Sequence, residues 1–182
     1  KKDLPAKFAI KHGIKLITNE ANKSDDNILS DVCDELSNLN EIITQRQNKL
    51  FNNQVKEDEL IPIVLVFDEI GALTNLASKN VKDNFFKLLT RVATLGRQAK
   101  VHLLLSSQRF DANTIPTIVK EQCNILIQLG TLTTNQLQYL FPDYKQLMLL
   151  IPADEIGDKG KGIISINNNL FTFLVPTIKE LD

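Results

Sequence analysis

The chain has 182 residues, of which 43% are hydrophobic and 24% charged, as is usual for a soluble globular domain. Its formal net charge of −1 excludes a global attraction to nucleic acid or to an anionic membrane, so any DNA contact must come from local patches. No apolar run approaches the roughly 18 residues of a membrane span. The two cysteines, Cys33 and Cys123, are too far apart in sequence for a zinc or thioredoxin-like motif. We expect one cytoplasmic domain over 1–182 with two reduced thiols.

The first half of the chain is predicted to contain a basic lead-in, a helix and a strand. Residues 1–24 lack regular periodicity and are predicted to be irregular. A helix is predicted over 25–51 because its apolar residues recur at helical spacing, and Ser24 or Asp25 can cap its start. After a polar loop, residues 61–67, IPIVLVF, form a continuous apolar run that is typical of a strand covered on both faces in a parallel sheet.

The second half is predicted to complete an α/β fold. A helix over 81–95 is followed by Gly96 as its C-terminal cap, and residues 101–107, VHLLLSS, form a second buried strand. Strand, helix and strand at this spacing predict a βαβ unit with parallel strands. The remaining predicted elements are a strand over 124–130, a short helix over 133–141 that Pro142 ends, and a hairpin of strands 162–166 and 170–175. The sequence therefore predicts an α/β fold with a mostly parallel sheet flanked by helices.

Two acids follow the first predicted strand directly. Asp68 and Glu69 are at its carboxyl end, where open parallel sheets bind their ligands. A buried strand ending in Asp-Glu is the Walker B pattern of P-loop ATPases, in which the Asp holds Mg²⁺ and the Glu polarises the water that attacks the γ-phosphate. The alternative is a strand that ends in two solvated acids before a turn, and the motif alone does not decide between these interpretations.

The second strand also ends in polar residues, Ser106, Ser107, Gln108 and Arg109. Gln108 suits a γ-phosphate sensor because a neutral amide can hydrogen-bond both water and a phosphate oxygen. Arg97, just after Gly96, and Arg109 are the cations predicted to meet phosphate, either that of their own chain or that of a neighbour. The alternative for each arginine is an ordinary surface salt bridge.

These segments together resemble the FtsK/SpoIIIE family of DNA-pumping ATPases. The resemblance rests on LIPIVLVFDEIGAL, then LLTRVATLGRQAKVHLLLSSQR, then a late GKG, and it is best between residues 61 and 110. Residues 41–51, EIITQRQNKLF, likewise resemble the helix that precedes Walker B in that family. The chain departs from the family pattern at Phe110, where the family has Pro, and at Ala72 or Leu73, where it has a second acid. Conjugative coupling proteins belong to the same broad family.

The resemblance implies a RecA-like P-loop NTPase core that uses ATP and Mg²⁺. In this chain Asp68 would be the metal ligand, Glu69 the catalytic base, Gln108 the sensor, and Arg97 and Arg109 the phosphate-contacting arginines. It also implies a hexameric ring around double-stranded DNA, for chromosome segregation or conjugation, with a relaxase as a partner in the conjugative case. The parent protein would be membrane-anchored outside this segment, which itself is expected to make no membrane contact.

Three stretches are candidates for DNA contact. They are residues 73–84 with Lys79 and Lys82, residues 110–120, and the basic lead-in with its lysines, Lys1, Lys2, Lys7, Lys11 and Lys15. The alternative for each is a solvated surface, because phosphate contacts have no sequence signature beyond charge.

The sequence has no G-x-x-x-x-G-K-[ST] motif. Its one Gly-Lys pair, Gly160-Lys161, is followed by Gly162 and has Glu155 at the upstream glycine position. Together with the missing initiator Met, this leads us to expect the C-terminal part of a motor domain without its P-loop. The parent would be an ATPase, whereas these residues alone would bind ATP poorly and hardly hydrolyse it. Two alternatives stay open: a non-hydrolysing ring-building or docking module, and an unrelated doubly wound enzyme that binds another metal–phosphate substrate.

Overall fold

A computed structural model of the chain describes residues 15, 17, 23–130, 138–142 and 160–175. Its helices and strands, in chain order, are α1 Asp25–Phe51, β1 Ile63–Phe67, α2 Ile70–Asn75, α3 Lys79–Leu95, β2 Val101–Leu105, α4 Thr117–Glu121, β3 Ile125–Leu129, β4 Lys161–Ile166 and β5 Asn169–Leu174. Short 3-10 helices lie at Glu57–Glu59 and Arg97–Ala99. Most of the predicted lead-in over 1–24 lies outside the described residues. Of the helix predicted over 133–141, only 138–141 are described, and 138–140 are helical.

The first helix begins where the sequence predicts. The Ser24 side chain accepts a hydrogen bond from the Asn27 amide at 3.3 Å, which satisfies one of the unpaired N–H groups at the helix start. Asp25 and Asp26 in the first turn are favourable next to the positive end of the helix dipole. Asp26 also accepts a hydrogen bond from the Ser78 amide at 2.6 Å, so the start of α1 positions the start of α3.

The predicted βαβ unit is confirmed. Strands β1 and β2 pair in parallel, in a register that runs from Ile63 opposite Val101 to Phe67 opposite Leu105, and α3 lies between them in sequence. Backbone hydrogen bonds continue past the strand ends, from the Ser106 amide to the Phe67 carbonyl and from the Ile70 amide to the Ser106 carbonyl, both at 2.9 Å. The carboxyl ends of the two strands are therefore joined tightly.

The prediction that the first strand is covered on both faces was wrong. Ile63 and Leu65 face the helices and are partly buried, whereas Val64 and Val66 are 59% and 57% exposed, and Leu104 on the neighbouring strand is 56% exposed. Side chains alternate between the faces of a strand, and a continuous apolar run does not reveal whether both faces have a covering layer. Only the face toward α1 and α3 is packed in the part of the chain that the structure describes.

The other three strands form a separate antiparallel sheet in the order β3-β4-β5. The predicted third strand and hairpin are confirmed. Asn167 and Asn168 form the hairpin turn with φ of 47° and 65°, the positive values that a two-residue type I′ turn requires. Such a short turn can only join antiparallel strands. Parallel pairing among the described strands is thus limited to β1 and β2, although the mixed helix and sheet architecture confirms the α/β class.

Helices α1 and α3 pack together over the inner face of β1 and β2 and form the core. Phe85 of α3 is fully buried and meets Phe67 of β1 edge-on, with ring centroids 5.7 Å apart. Other buried members of this cluster are Leu29, Val32, Leu36, Ile43, Leu89, Val92, Ala99, Val101, Ile115 and Val119. None of the helices that the structure describes is long and apolar enough to cross a membrane.

The connection from α3 to β2 depends on Gly96. This residue is the C-cap of α3, as predicted, but its φ of −68° is right-handed rather than the left-handed value of a glycine cap. Glycine is required for a different reason: a Cβ atom here would lie 2.6 Å from the Val92 carbonyl oxygen and 2.7 Å from that of Val101. Arg46 of α1 secures the same turn by donating a hydrogen bond to the Ala99 carbonyl at 2.7 Å.

Candidate functional site

The two acids leave β1 at its carboxyl end in different environments. Asp68 is exposed and has no hydrogen-bond or ion-pair partner within the described ranges. Glu69 is half-buried, and its backbone is left-handed, with φ of 60° and ψ of 64°. A left-handed backbone is uncommon for a residue other than glycine, asparagine or aspartate. It lies at the point where the chain passes from the strand into α2.

The Glu69 carboxylate is held by the end of β2. Ser107 Oγ donates a hydrogen bond to Glu69 Oε1 at 3.0 Å. The Gln108 amide lies 3.0 Å from Oε2 and 3.3 Å from Oε1. Glu69 and Gln108 therefore meet, as expected for neighbouring parallel strands, but this contact is made by the backbone N–H of Gln108. Ser107 was not among the predicted site residues, and its position in the polar run SSQR was the available signal.

Close packing beneath the carboxylate completes this arrangement. A Cβ atom at Gly71 would lie 3.1 Å from both Glu69 Oε1 and Ser107 Oγ, so a glycine leaves the space that these two groups use. Thr114 Cγ2 would lie 3.5 Å from the same Cβ atom, and Asp111 Oδ1 holds Thr114 by accepting hydrogen bonds from its amide and its hydroxyl at 2.9 and 3.0 Å. The seat of Glu69 is thus formed by β1, α2, β2 and the turn that follows β2.

The two predicted arginines lie at opposite ends of β2. Arg109 is exposed and directly follows Gln108 at the carboxyl end, and its amide lies 3.4 Å from Ser107 Oγ. Arg97 is also exposed but precedes β2, so it is not brought to the edge that carries Asp68 and Glu69. It lines a cavity of about 340 Å³ together with Gln47 and Glu121. A phosphate contact by Arg97 within its own chain has no support in this geometry.

The carboxylate oxygens at the carboxyl end of β1 suit a hard cation that is also coordinated by a bound substrate. No group of three or more His, Cys, Asp or Glu side chains that could hold a metal occurs within the described part of the chain. Mg²⁺ does not need such a cage, since it is commonly bound by one or two carboxylates plus water and substrate phosphates. An exposed carboxylate such as Asp68, at the end of a rigid strand, fits that pattern.

The candidate DNA-contacting stretches are more ordered than loops. Residues 73–84 contain the end of α2 and the start of α3, with only 76–78 between them. Lys79 is exposed there, while Lys82 lies over the Phe86 ring at 5.4 Å. In the stretch 110–120, Lys120 donates a hydrogen bond to the Tyr139 carbonyl at 2.9 Å.

Of the five lysines named above for the basic lead-in, the structure describes Lys15. Lys15 forms an ion pair with Glu35 at 2.6 Å. Lys1, Lys2, Lys7 and Lys11 lie outside the described residues. Contact of this stretch with DNA stays a prediction.

Comparison with known proteins gives several sequence relatives, although no protein-family model matches the chain. The chain is 34% identical over 76 residues to DNA translocase FtsK of Listeria monocytogenes, an alignment that covers 42% of this chain and 9% of that protein. It is 34% identical over 74 residues to DNA translocase SpoIIIE of Bacillus subtilis, covering 40% of this chain and 9% of that protein. The aligned part is thus about a tenth of the length of these relatives.

Two solved structures share the fold. The pCW3 conjugation coupling protein TcpA, in a monomer form with ATPγS, matches with a TM-score of 0.64 and 17% identity over 80% of this chain and 44% of that one. The cytoplasmic domain of the type VII secretion ATPase EccC of Thermomonospora curvata matches with a TM-score of 0.58 and 20% identity over 83% of this chain and 18% of that one. The resemblance predicted from the sequence is thereby confirmed: the chain is similar in sequence to the DNA translocases FtsK and SpoIIIE, and it shares the fold of TcpA and of the EccC cytoplasmic domain.

Proposed function

We propose that this chain supplies the residues that position the metal ion and the attacking water in an ATP-driven motor. This motor would move double-stranded DNA, in chromosome segregation or in conjugative transfer. The observation that carries the proposal is the carboxylate of Glu69, which Ser107 and the Gln108 amide hold beside the exposed Asp68. Two solvated acids on a surface would need neither hydrogen bonds that fix one of the carboxylates nor a left-handed backbone at Glu69. Two of the sequence relatives, FtsK of Listeria monocytogenes and SpoIIIE of Bacillus subtilis, are named as DNA translocases and support the same function.

In this proposal the two acids have separate roles. Asp68 would be the carboxylate ligand of the Mg²⁺ that accompanies ATP, and the bound cation would supply charge neutralisation at the phosphates. Glu69 would orient and polarise the attacking water, since a fixed carboxylate within hydrogen-bond reach can accept its proton. The Gln108 side chain would contact the γ-phosphate or the water, and Arg109 would offer a cation at the same edge.

The proposal requires a phosphate-binding loop that this sequence does not contain. Backbone amides and a lysine of a G-x-x-x-x-G-K-[ST] loop are what hold the β- and γ-phosphates in P-loop ATPases. We therefore expect this loop elsewhere in the native gene product. Its absence there would favour the alternative of a docking or ring-building module without hydrolysis.

In a hexameric ring, Arg97 would contact the phosphates of a nucleotide bound by another subunit rather than by its own chain. Arg97 is exposed near the amino-terminal ends of β1 and β2, whereas Asp68 lies at their carboxyl ends. A neighbouring subunit in a ring could present its bound nucleotide to Arg97. Double-stranded DNA would pass through the ring. In a conjugative system a relaxase would be a further partner.

The test is ATP hydrolysis by the native gene product, measured without DNA, with single-stranded DNA and with duplex DNA. A translocase of double-stranded DNA is expected to hydrolyse ATP several-fold faster with duplex DNA than without DNA, and single-stranded DNA of equal length should stimulate less. A rate of ATP hydrolysis that DNA does not change would contradict the translocase proposal. The absence of hydrolysis under every condition would support the docking module instead.

A further inference from the structure

We propose that Ser107 is the residue that orients the Glu69 carboxylate for catalysis, an inference that rests on the proposed function. Ser107 would be a positioning residue, because it acts on the water only through Glu69. Its hydroxyl would fix one carboxylate oxygen so that the other is presented to the attacking water.

The hydrogen bonds distinguish the two oxygens of Glu69. Oε1 accepts from Ser107 Oγ at 3.0 Å and has the longer contact with the Gln108 amide, at 3.3 Å. Oε2 has the shorter contact with that amide, at 3.0 Å, and no hydroxyl donor within the described residues. An ionised carboxylate oxygen can accept about two hydrogen bonds. Oε1 is therefore the anchored oxygen, and Oε2 keeps the capacity to accept from water.

The direction of the Ser107 hydroxyl is itself determined by its surroundings. Ser107 Oγ lies 3.4 Å from the Arg109 amide, which can only donate, so the serine oxygen accepts there and its proton is directed to Glu69. Gly71 leaves no spare room on the inner side, because even a Cβ atom there would approach both Oγ and Oε1 at 3.1 Å. Because Gly71 has no side chain, the Ser107 hydroxyl and the Glu69 carboxylate stay in direct contact.

The same hydroxyl contributes little to holding the fold together. The ends of β1 and β2 are already joined by backbone hydrogen bonds from Ser106 to Phe67 and from Ile70 to Ser106, both at 2.9 Å. Ser107 and Glu69 are both partly exposed, and a hydrogen bond in such a position adds only about 0.5–1.5 kcal/mol to stability. Removal of the hydroxyl should therefore free the carboxylate without unfolding the protein.

The experiment measures kcat and KM for ATP in the native gene product with saturating duplex DNA. Ser107→Ala is expected to lower kcat by roughly 10- to 100-fold, the range that misplacement of a catalytic group causes, with KM unchanged within about twofold. Ser107→Thr retains a hydroxyl and is expected to keep kcat within about threefold of the unsubstituted protein. Ser106→Ala is the matched control, since Ser106 is exposed, and it should leave both constants unchanged.

A second pair of variants tests whether Ser107 acts through Glu69. In the Glu69→Gln background, Ser107→Ala is expected to cause no further loss of kcat, because the group that it positions is already gone. An equal further loss in that background, an unchanged kcat in Ser107→Ala alone, or failure of Ser107→Ala to fold would each overturn the assignment and leave the proposed function standing. A native gene product that does not hydrolyse ATP at all would overturn both.

Discussion

Glu69 and Ser107 are 38 positions apart in the chain, yet Ser107 Oγ donates a hydrogen bond to Glu69 Oε1 at 3.0 Å. They meet because β1 and β2 are parallel neighbours in register, so that residues just past the two strand ends lie side by side. The inner face of this strand pair rests on α3 through the contact between Phe67 and Phe85. The hydrogen-bonded position of the carboxylate thus directly follows a strand that packs in the hydrophobic core.

Gly71→Ala should impair turnover far more than it changes stability. The new Cβ atom would press on Glu69 Oε1 and Ser107 Oγ, each 3.1 Å away, and so displace the carboxylate. We expect kcat for ATP in the native gene product to fall by about tenfold or more. Crowding by the new Cβ atom opposes the higher helix propensity of alanine, which is at most about 1 kcal/mol, so the melting temperature should change by only a few degrees. Asn75→Ala, an exposed change in the same helix, is the control, and wild-type turnover by the Gly71 variant would contradict the proposed seat.

Asp68→Asn should weaken the use of Mg²⁺. The amide keeps the size of the side chain but removes the negative charge that a hard dication prefers. We expect the Mg²⁺ concentration for half-maximal ATP hydrolysis by the native gene product to rise by about tenfold, which corresponds to about 1.4 kcal/mol. Asp83→Asn, in the exposed face of α3, should not change it. Identical Mg²⁺ titrations for both variants would exclude Asp68 as the ligand.

Gly96→Ala should destabilise this chain. Its Cβ atom would meet the carbonyl oxygens of Val92 and Val101 at 2.6 and 2.7 Å, and backbone atoms at the junction of α3 and β2 cannot move aside cheaply. Overpacking of this kind costs about 1–3 kcal/mol. Urea unfolding should show a lower midpoint with an unchanged slope, whereas the exposed Gln98→Ala nearby should match the unsubstituted chain. Equal midpoints would show that the junction relaxes.

Stability should fall in alkaline solution because of the two thiols. Burial raises the pKa of Cys33 and of Cys123, and the Cys123 thiol also lies 3.4 Å from the Val119 carbonyl. The folded chain then keeps protons that the unfolded chain has lost, so this contribution is complete below the unfolded pKa of about 8.5 and declines as the pH rises above it.

The check is urea unfolding under reducing conditions at pH 7.5 and pH 9.5. We expect a lower free energy of unfolding at pH 9.5, and a smaller difference between the two pH values when both cysteines are alanine. Burial raises the pKa of Tyr139 as well, so some decline should persist in that variant above about pH 10. A difference that the alanine substitutions leave unchanged would show that other groups cause it.

The helices and the βαβ unit could be predicted because their signals are local. Apolar spacing indicates α1 and α3, and a strand, a helix and a strand in sequence imply parallel neighbours whose ends meet. The meeting of Glu69 with Gln108 followed from this topology. The exposure of Val64 and Val66 did not, because periodicity reports the two faces of a strand but not whether each face is covered.

The finer geometry of the site had no signature in the sequence. Ser106 and Ser107 are identical in type, so their sequence alone does not reveal which hydroxyl reaches the carboxylate. The left-handed backbone of Glu69 is equally invisible, because glutamate rarely adopts it. Arg97 was predicted to meet phosphate from its position just after Gly96, but it precedes β2 and so lies at the opposite end of that strand from Asp68 and Glu69.

The most direct test of the central claim is the rate of duplex-stimulated ATP hydrolysis by the native gene product with Glu69→Gln, beside Glu41→Gln as a matched change on the exposed face of α1. The proposal predicts that Glu69→Gln lowers kcat by about 100-fold or more, since a positioned general base contributes about 10²–10⁴, whereas Glu41→Gln retains the full rate. Equal, DNA-stimulated rates for both variants would contradict a catalytic role of Glu69.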